Sequence, residues 1–182
     1  MLTPVIYPDK ALSTPAQIVT TFDDNLHNFA TALGQMMHDM HLVGVAANMV
    51  GNLQQIIVLN GKFLNLEQET VYMVNPVVTV IGTNKHRAIE ASPSLPFIET
   101  PIERPAHIFM KYQTLTGESQ EGEYLDDVAH VIQHEMDYVA GQTFLDRIPK
   151  AKARLLKEKM FKLIRTGGPK IKPHVHGAHC NH

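Results

Sequence analysis

Cysteine is almost absent from this 182-residue chain, Cys180 being the only one. A single thiol excludes an intramolecular disulfide and suits a reducing compartment. Long apolar runs are missing too: none approaches the ~20 residues that a helix needs to cross a bilayer. The start, Met1-Leu2-Thr3-Pro4-Val5-Ile6-Tyr7-Pro8, lacks a basic segment and an extended apolar stretch, so it does not read as a signal peptide. Repeats and internal domain breaks are also lacking. What is present is a 44% hydrophobic composition, enough for one good core. The expectation is a cytoplasmic protein with no membrane partner, one domain over residues 1–168 and a separate tail over 169–182.

The formal charge is only −2, yet it is unevenly spread. Between Lys150 and Lys172, nine Lys or Arg face one acid, Glu158, while the remainder carries seven bases and seventeen acids. Such asymmetry suits docking on an anionic partner such as nucleic acid, and equally a solvated basic face on a terminal helix.

Taken in order, the pattern predicts an extended, proline-punctuated arm through Pro15. A helix follows, with Thr21-x-x-Asp24 as its capping signal and Leu26, Phe29, Leu33, Met36, Met37 and Met40 on one face. Gly44 to Gly51 reads as a loop or edge strand of small residues. Gln55–Asn60, Thr70–Val80 and His107–Thr114 are β-branched, partly alternating runs that predict strands, with Pro76 at an edge or break and a hairpin turn at Thr116-Gly117-Glu118. A helix from about Ala151 to Arg165 would bury Leu156, Met160 and Leu163 and stop at Gly167-Gly168-Pro169.

The chemistry gathers on one more helix. Val128, Val131, Ile132, Met136 and Val139 recur at helical spacing, and Gly141 stands where a C-terminal cap belongs. His134 and Glu135 open the His-Glu-x-x-His pattern, in which two imidazoles one turn apart converge on a metal and the Glu handles the proton of bound water. Tyr138 occupies the place of the second His. On the structural reading, His134 is a core histidine bonded to Tyr138, and Glu135 pairs with an arginine such as Arg87 or Arg104. His130 lies one turn before His134, so a His130/His134/Tyr138 metal site is conceivable, although an exposed His130 is the simpler expectation.

Three stretches fall in order: Gly44-Val45-Ala46-Ala47-Asn48-Met49, Glu90-Ala91-Ser92-Pro93-Ser94-Leu95-Pro96, and Gln133-His134-Glu135-Met136-Asp137-Tyr138. Together they resemble the three signature motifs of the peptide deformylase family, and the likeness covers about residues 1 to 165. The resemblance implies an α+β fold, mainly antiparallel sheet around a central helix bearing His-Glu-x-x-Tyr, with an N-terminal helix and a basic C-terminal helix. It also implies removal of the formyl group from N-terminal methionine by a divalent metal, often Fe²⁺, held by one Cys and two His. A Glu would shuttle the proton, while a Gln side chain and the N–H just after the Cys would stabilise the carbonyl oxygen. In bacterial members the basic C-terminal helix contacts the ribosome.

Carried over residue by residue, His134 matches one metal ligand and Glu135 the acid/base. Ser92 stands at the Cys ligand, Tyr138 at the second His, Met49 at the Gln, and Pro93 at the residue whose N–H donates. A hydroxyl binds Fe²⁺ or Zn²⁺ poorly beside a thiolate. Tyrosine coordinates only as phenolate, against a reference pKa of ~10. Proline has no N–H and methionine no donor. Losing one oxyanion donor alone typically costs about 10²–10³ in rate.

The tail adds His174, His176, His179, Cys180 and His182, donors that suit Zn²⁺, Ni²⁺ or Cu. Two readings therefore stay open. The first is a deformylase-like protein weak or lacking in deformylation, binding peptides or, through its basic helix, the ribosome, and holding no metal at the ancestral site. The second is an active deformylase acting on N-formylmethionyl peptides, with Fe, Zn or Ni in an altered or tail-completed site.

Overall fold

A computed structural model describes residues 1–167. After an extended arm and a 3-10 turn at Lys10–Ser13 come α1 (Asp24–Asp39), β1 (Gly44–Ala46), β2 (Ile56–Asn60) and β3 (Thr70–Val80). The hairpin β4 (Lys85–Ser92) and β5 (Leu95–Pro105) follows, then β6 (His107–Gln113), β7 (Ser119–Leu125), α2 (Asp126–Val139) and α3 (Lys150–Arg165). All named strand pairs are antiparallel: five strands run in the order β1-β2-β3-β6-β7, and β4-β5 forms a separate two-stranded ribbon. This is the expected α+β architecture with α2 at its centre. None of the helices described is long and apolar enough to cross a membrane.

Local chemistry explains most boundaries. Asp23, rather than Thr21 or Asp24, caps α1: its carboxylate accepts from the Leu26 N–H at 3.0 Å, satisfying a donor of the first turn. Pro76 sits at a bulge in β3, where the register with β6 shifts between Val74 and Val77, because proline cannot donate to the ladder. The helix α2 ends as expected: Gly141 follows the cap at φ +71°, and a Cβ there would lie 2.7 Å from the Pro15 nitrogen. No other residue type fits that approach of the N-terminal arm without strain.

Two cores result. The larger joins α1, β1–β3, β6 and the inner side of α2; the smaller packs Leu95, Ile98 and Ile102 of β5 against Phe144, Leu145, Ala153 and Met160. Leu156 and Leu163 of α3 are half-buried rather than fully covered. Strands β4, β5 and β7 are not evident in the sequence pattern. In β4 and β5 a polar alternation, proline-bearing in Thr100-Pro101-Ile102-Glu103-Arg104-Pro105, hides a face that is buried yet carries charge at Glu90 and Arg104, while β7 has no fully buried position.

Candidate active site

The helix α2 turns its ionisable side inward. His130, His134, Glu135, Asp137 and Tyr138 are buried, whereas Val128, Val131 and Met136 of the expected apolar stripe are only half-buried. Burying such groups is costly unless they find partners, and all but Glu135 do. The partner is the β4–β5 ribbon, whose inward positions Glu90 and Ser92 lie two residues apart on one face.

Glu90 is the hub. Arg104 of β5 grips it with two bonds, Nε to Oε1 at 2.5 Å and Nη2 to Oε2 at 3.0 Å. His134 Nδ1 lies 2.7 Å from Oε2, so that nitrogen carries the proton. His130 Nε2 sits 2.7 Å from Oε1, at ion-pair distance but off the line of a good hydrogen bond, and its Nδ1 finds no partner. Burial opposes ionisation of Glu90, but contacts with His130, His134 and Arg104 outweigh it and hold the carboxyl far below its usual range. Burial likewise disfavours an imidazolium at His134, yet Glu90 raises its affinity for a proton above the ordinary value. Arg104 Nη2 continues to Asp137 at 2.8 Å, and Asp137 is held in turn by Arg147, at 3.1 Å from Nε and through a second contact to Nη2. The chain of charges thus runs from the ribbon through α2 to the 3-10 turn Phe144–Arg147.

Around the hub lie the remaining residues. Tyr138, fully buried, donates its hydroxyl proton to Ser92 Oγ at 2.7 Å, and the Ser94 N–H reaches the same oxygen at 3.2 Å. The His134 ring stands edge-on to Tyr138 at 5.5 Å and stacks on Phe144 at 6.1 Å. Pro93 and Ser94 form the turn of the ribbon, a place that proline's fixed φ suits. Met49, in the 3-10 turn Ala47–Val50, is packed in the large core. Glu135 is 3% exposed and its Oε2 has no partner. Burial, with Glu90 and Asp137 adding to it, pushes its carboxyl up to about 7 against the pull of His134 and Arg104.

Comparison with known proteins agrees with this layout. A family profile described as polypeptide deformylase matches residues 1–154. The chain belongs to the polypeptide deformylase family. It is 35% identical over 179 residues to a peptide deformylase-like protein of Rickettsia conorii, covering 98% of this chain and 95% of that one. It is 34% identical over 161 residues to the peptide deformylase of Thermotoga maritima, covering 88% and 95%. The crystal structure of the Ehrlichia chaffeensis peptide deformylase superposes with a TM-score of 0.83 at 28% identity, over 92% of this chain and 98% of that one.

Within that family frame, the positions assigned to metal ligands by their motifs are brought together, but their chemistry does not fit a divalent ion. Ser92 Oγ already accepts two hydrogen bonds. Burial pushes the Tyr138 phenol up, and Glu135, Glu90 and Asp137 add to that against the Ser92 bond, so a phenolate ligand is disfavoured. Among the described residues, no group of three or more His, Cys, Asp or Glu side chains is arranged to hold a metal ion.

Four expectations are corrected. His134 bonds Glu90, not Tyr138, because the buried carboxylate is the stronger acceptor. Glu135 does not pair with Arg87, which is exposed, or with Arg104, which is committed to Glu90 and Asp137. His130 is buried, 4% exposed, because Glu90 draws it inward. The His130/His134/Tyr138 set does not converge on a shared point: the two imidazoles turn to the opposite oxygens of Glu90, whereas Tyr138 turns to Ser92. Glu90, Asp137 and Arg147, which build the charge network around the site, are not singled out by the sequence pattern. The one signal for Glu90 is its period-two spacing from Ser92; the pairing of Asp137 with Arg147 left none. The tail donors His174, His176, His179, Cys180 and His182 lie outside the described residues.

Proposed function

We propose that this member of the polypeptide deformylase family lacks metal-dependent removal of the N-formyl group and acts by binding, with N-terminal peptides and the ribosome as partners. The observation that carries this reading is the state of the two oxyanion positions. Pro93 has no N–H to offer, and Met49, 1% exposed, brings a thioether packed into the core. Without those donors the charge developing on a formyl oxygen has no stabiliser, whatever occupies the ligand positions. The intact protein scaffold around His134 and Glu135 supports retention of a peptide-binding fold rather than its chemistry.

The second reading, an active deformylase with a tail-completed Fe, Zn or Ni site, is favoured by the retained Glu135 and by the orientation of His134 through Nδ1, which leaves Nε2 uncommitted. One comparison separates the two. Full-length protein and its His134→Ala variant are each prepared anaerobically with Fe²⁺, Ni²⁺ or Zn²⁺, then assayed for metal content and for turnover of a formyl-Met peptide. The binding reading expects equal metal content, any shared fraction belonging to residues 168–182, and no turnover. One metal per chain that disappears with His134→Ala, together with turnover abolished by Glu135→Gln, establishes the enzyme instead.

A further inference from the structure

Two substitutions that look like separate losses are partners in the fold. Tyr138 comes from α2 and Ser92 from the end of β4, and the phenol donates to the serine hydroxyl at 2.7 Å. A metal held by residues at these positions would cross-link the same two elements. We propose that Tyr138 and Ser92 form a clasp that takes over a metal ion's role of tying the β4–β5 ribbon to α2, so that the fold is complete without metal. This rests on the reading that the site does not work as a metal centre.

Three features support the clasp. The first is mutual dependence. Either residue alone would bury a polar atom lacking its present partner, whereas together they satisfy one another, with the Ser94 N–H completing the serine. The second is charge. An ion and its thiolate would leave a net charge to be balanced, but the clasp is neutral. The two carboxylates beside it, Glu90 and Asp137, are already met by two guanidiniums, Arg104 and Arg147. The third is space. Tyr138 is fully buried and its ring lies against the edge of His134, whose other side stacks on Phe144, so the third ligand position is packed into the closed site.

The test is a double-mutant cycle on the full chain, read by thermal unfolding with and without a chelator. Tyr138→Phe and Ser92→Ala each keep the apolar shape and remove one end of the bond. Each is expected to lower Tm by about 2–6 °C, and the double variant to fall no further than the worse single one. Chelator leaves the Tm of the unsubstituted protein unchanged. Additive losses overturn the clasp.

A second arm exchanges the clasp for ligands. Ser92→Cys with Tyr138→His, compared with the same protein also carrying His134→Ala, is expected to gain about one Zn²⁺ or Ni²⁺ per chain and a chelator-sensitive Tm. A folded exchange variant that takes up no extra metal overturns the claim that the clasp stands in for an ion. The two ideas fail differently. Metal lost from the otherwise unsubstituted chain on His134→Ala sinks the underlying reading, whereas additive losses in a metal-free chain sink only the clasp.

Discussion

At the scale of single residues, Glu135 carries the sharpest consequence. It is a buried acid without a cation of its own, and Gly44 leaves room for it: a Cβ there would lie 3.0 Å from Glu135 Oε1. Because the folded protein holds this proton up to about 7 while an unfolded chain releases it near 4.5, the native state binds more protons in between. Stability therefore falls as pH rises through that window, by about 3 kcal/mol at most. His134, also raised, acts in the same direction above its ordinary range, so the decisive quantity is a difference. Thermal melts of Glu135→Gln against the unsubstituted protein between pH 4.5 and 8 should show the variant losing less; parallel curves would refute this. His-Glu-x-x-Tyr identified the residue, but its lack of a partner follows from where Arg104 is spent.

At the scale of elements, the network Glu90–Arg104–Asp137 holds ribbon to helix with groups that are all buried. Truncating the middle member leaves Glu90 to the two histidines and Asp137 to Arg147 alone, and unlinks the two carboxylates. Arg104→Met should cost about 3–5 kcal/mol, and at fixed pH it should lower the denaturant midpoint far more than Arg87→Met, on the exposed side of the same ribbon. Equal effects would mean that the network contributes nothing. The ribbon itself was hidden in the sequence because a strand face carrying Glu90, Thr100 and Arg104 reads as solvent-facing until its partners are known. The strands β2, β3 and β6 were legible because their buried faces are apolar and β-branched. The apolar periodicity of α2 located the helix and the face that packs on the large core, but not the second, ionisable face that is buried against the ribbon.

At the scale of the whole molecule, α3 lies on β5 by one face and leaves Lys152, Lys159, Lys162 and Arg165 exposed on the rest. The excess of acids lies in the rest of the chain, so this helix is the face on which the proposed anionic partner would dock. Co-sedimentation with ribosomes at low salt should be lost by about 200 mM salt, and Lys152→Glu with Lys159→Glu and Lys162→Glu should weaken it at low salt. Failure of the full-length protein to co-sediment at low salt would remove the ribosome as a partner.

The order of three short motifs, the helical spacing around His134 and the apolar strands determined family and α+β architecture from sequence alone, because these are local patterns. That Met49 and Pro93 offer no donor and that Ser92 and Tyr138 are poor ligands was equally plain, since ligand softness and the lack of a donor belong to the residue type. Only the tertiary structure decided who partners whom. That Tyr138 meets Ser92, that Glu90 gathers His130, His134 and Arg104 across 14 to 44 residues of chain, and that Glu135 Oε2 is left without a partner follow from how the ribbon is buried against α2. Hydrogen bonds inside a protein go to whichever acceptor the fold brings near, a choice that no spacing along the chain encodes.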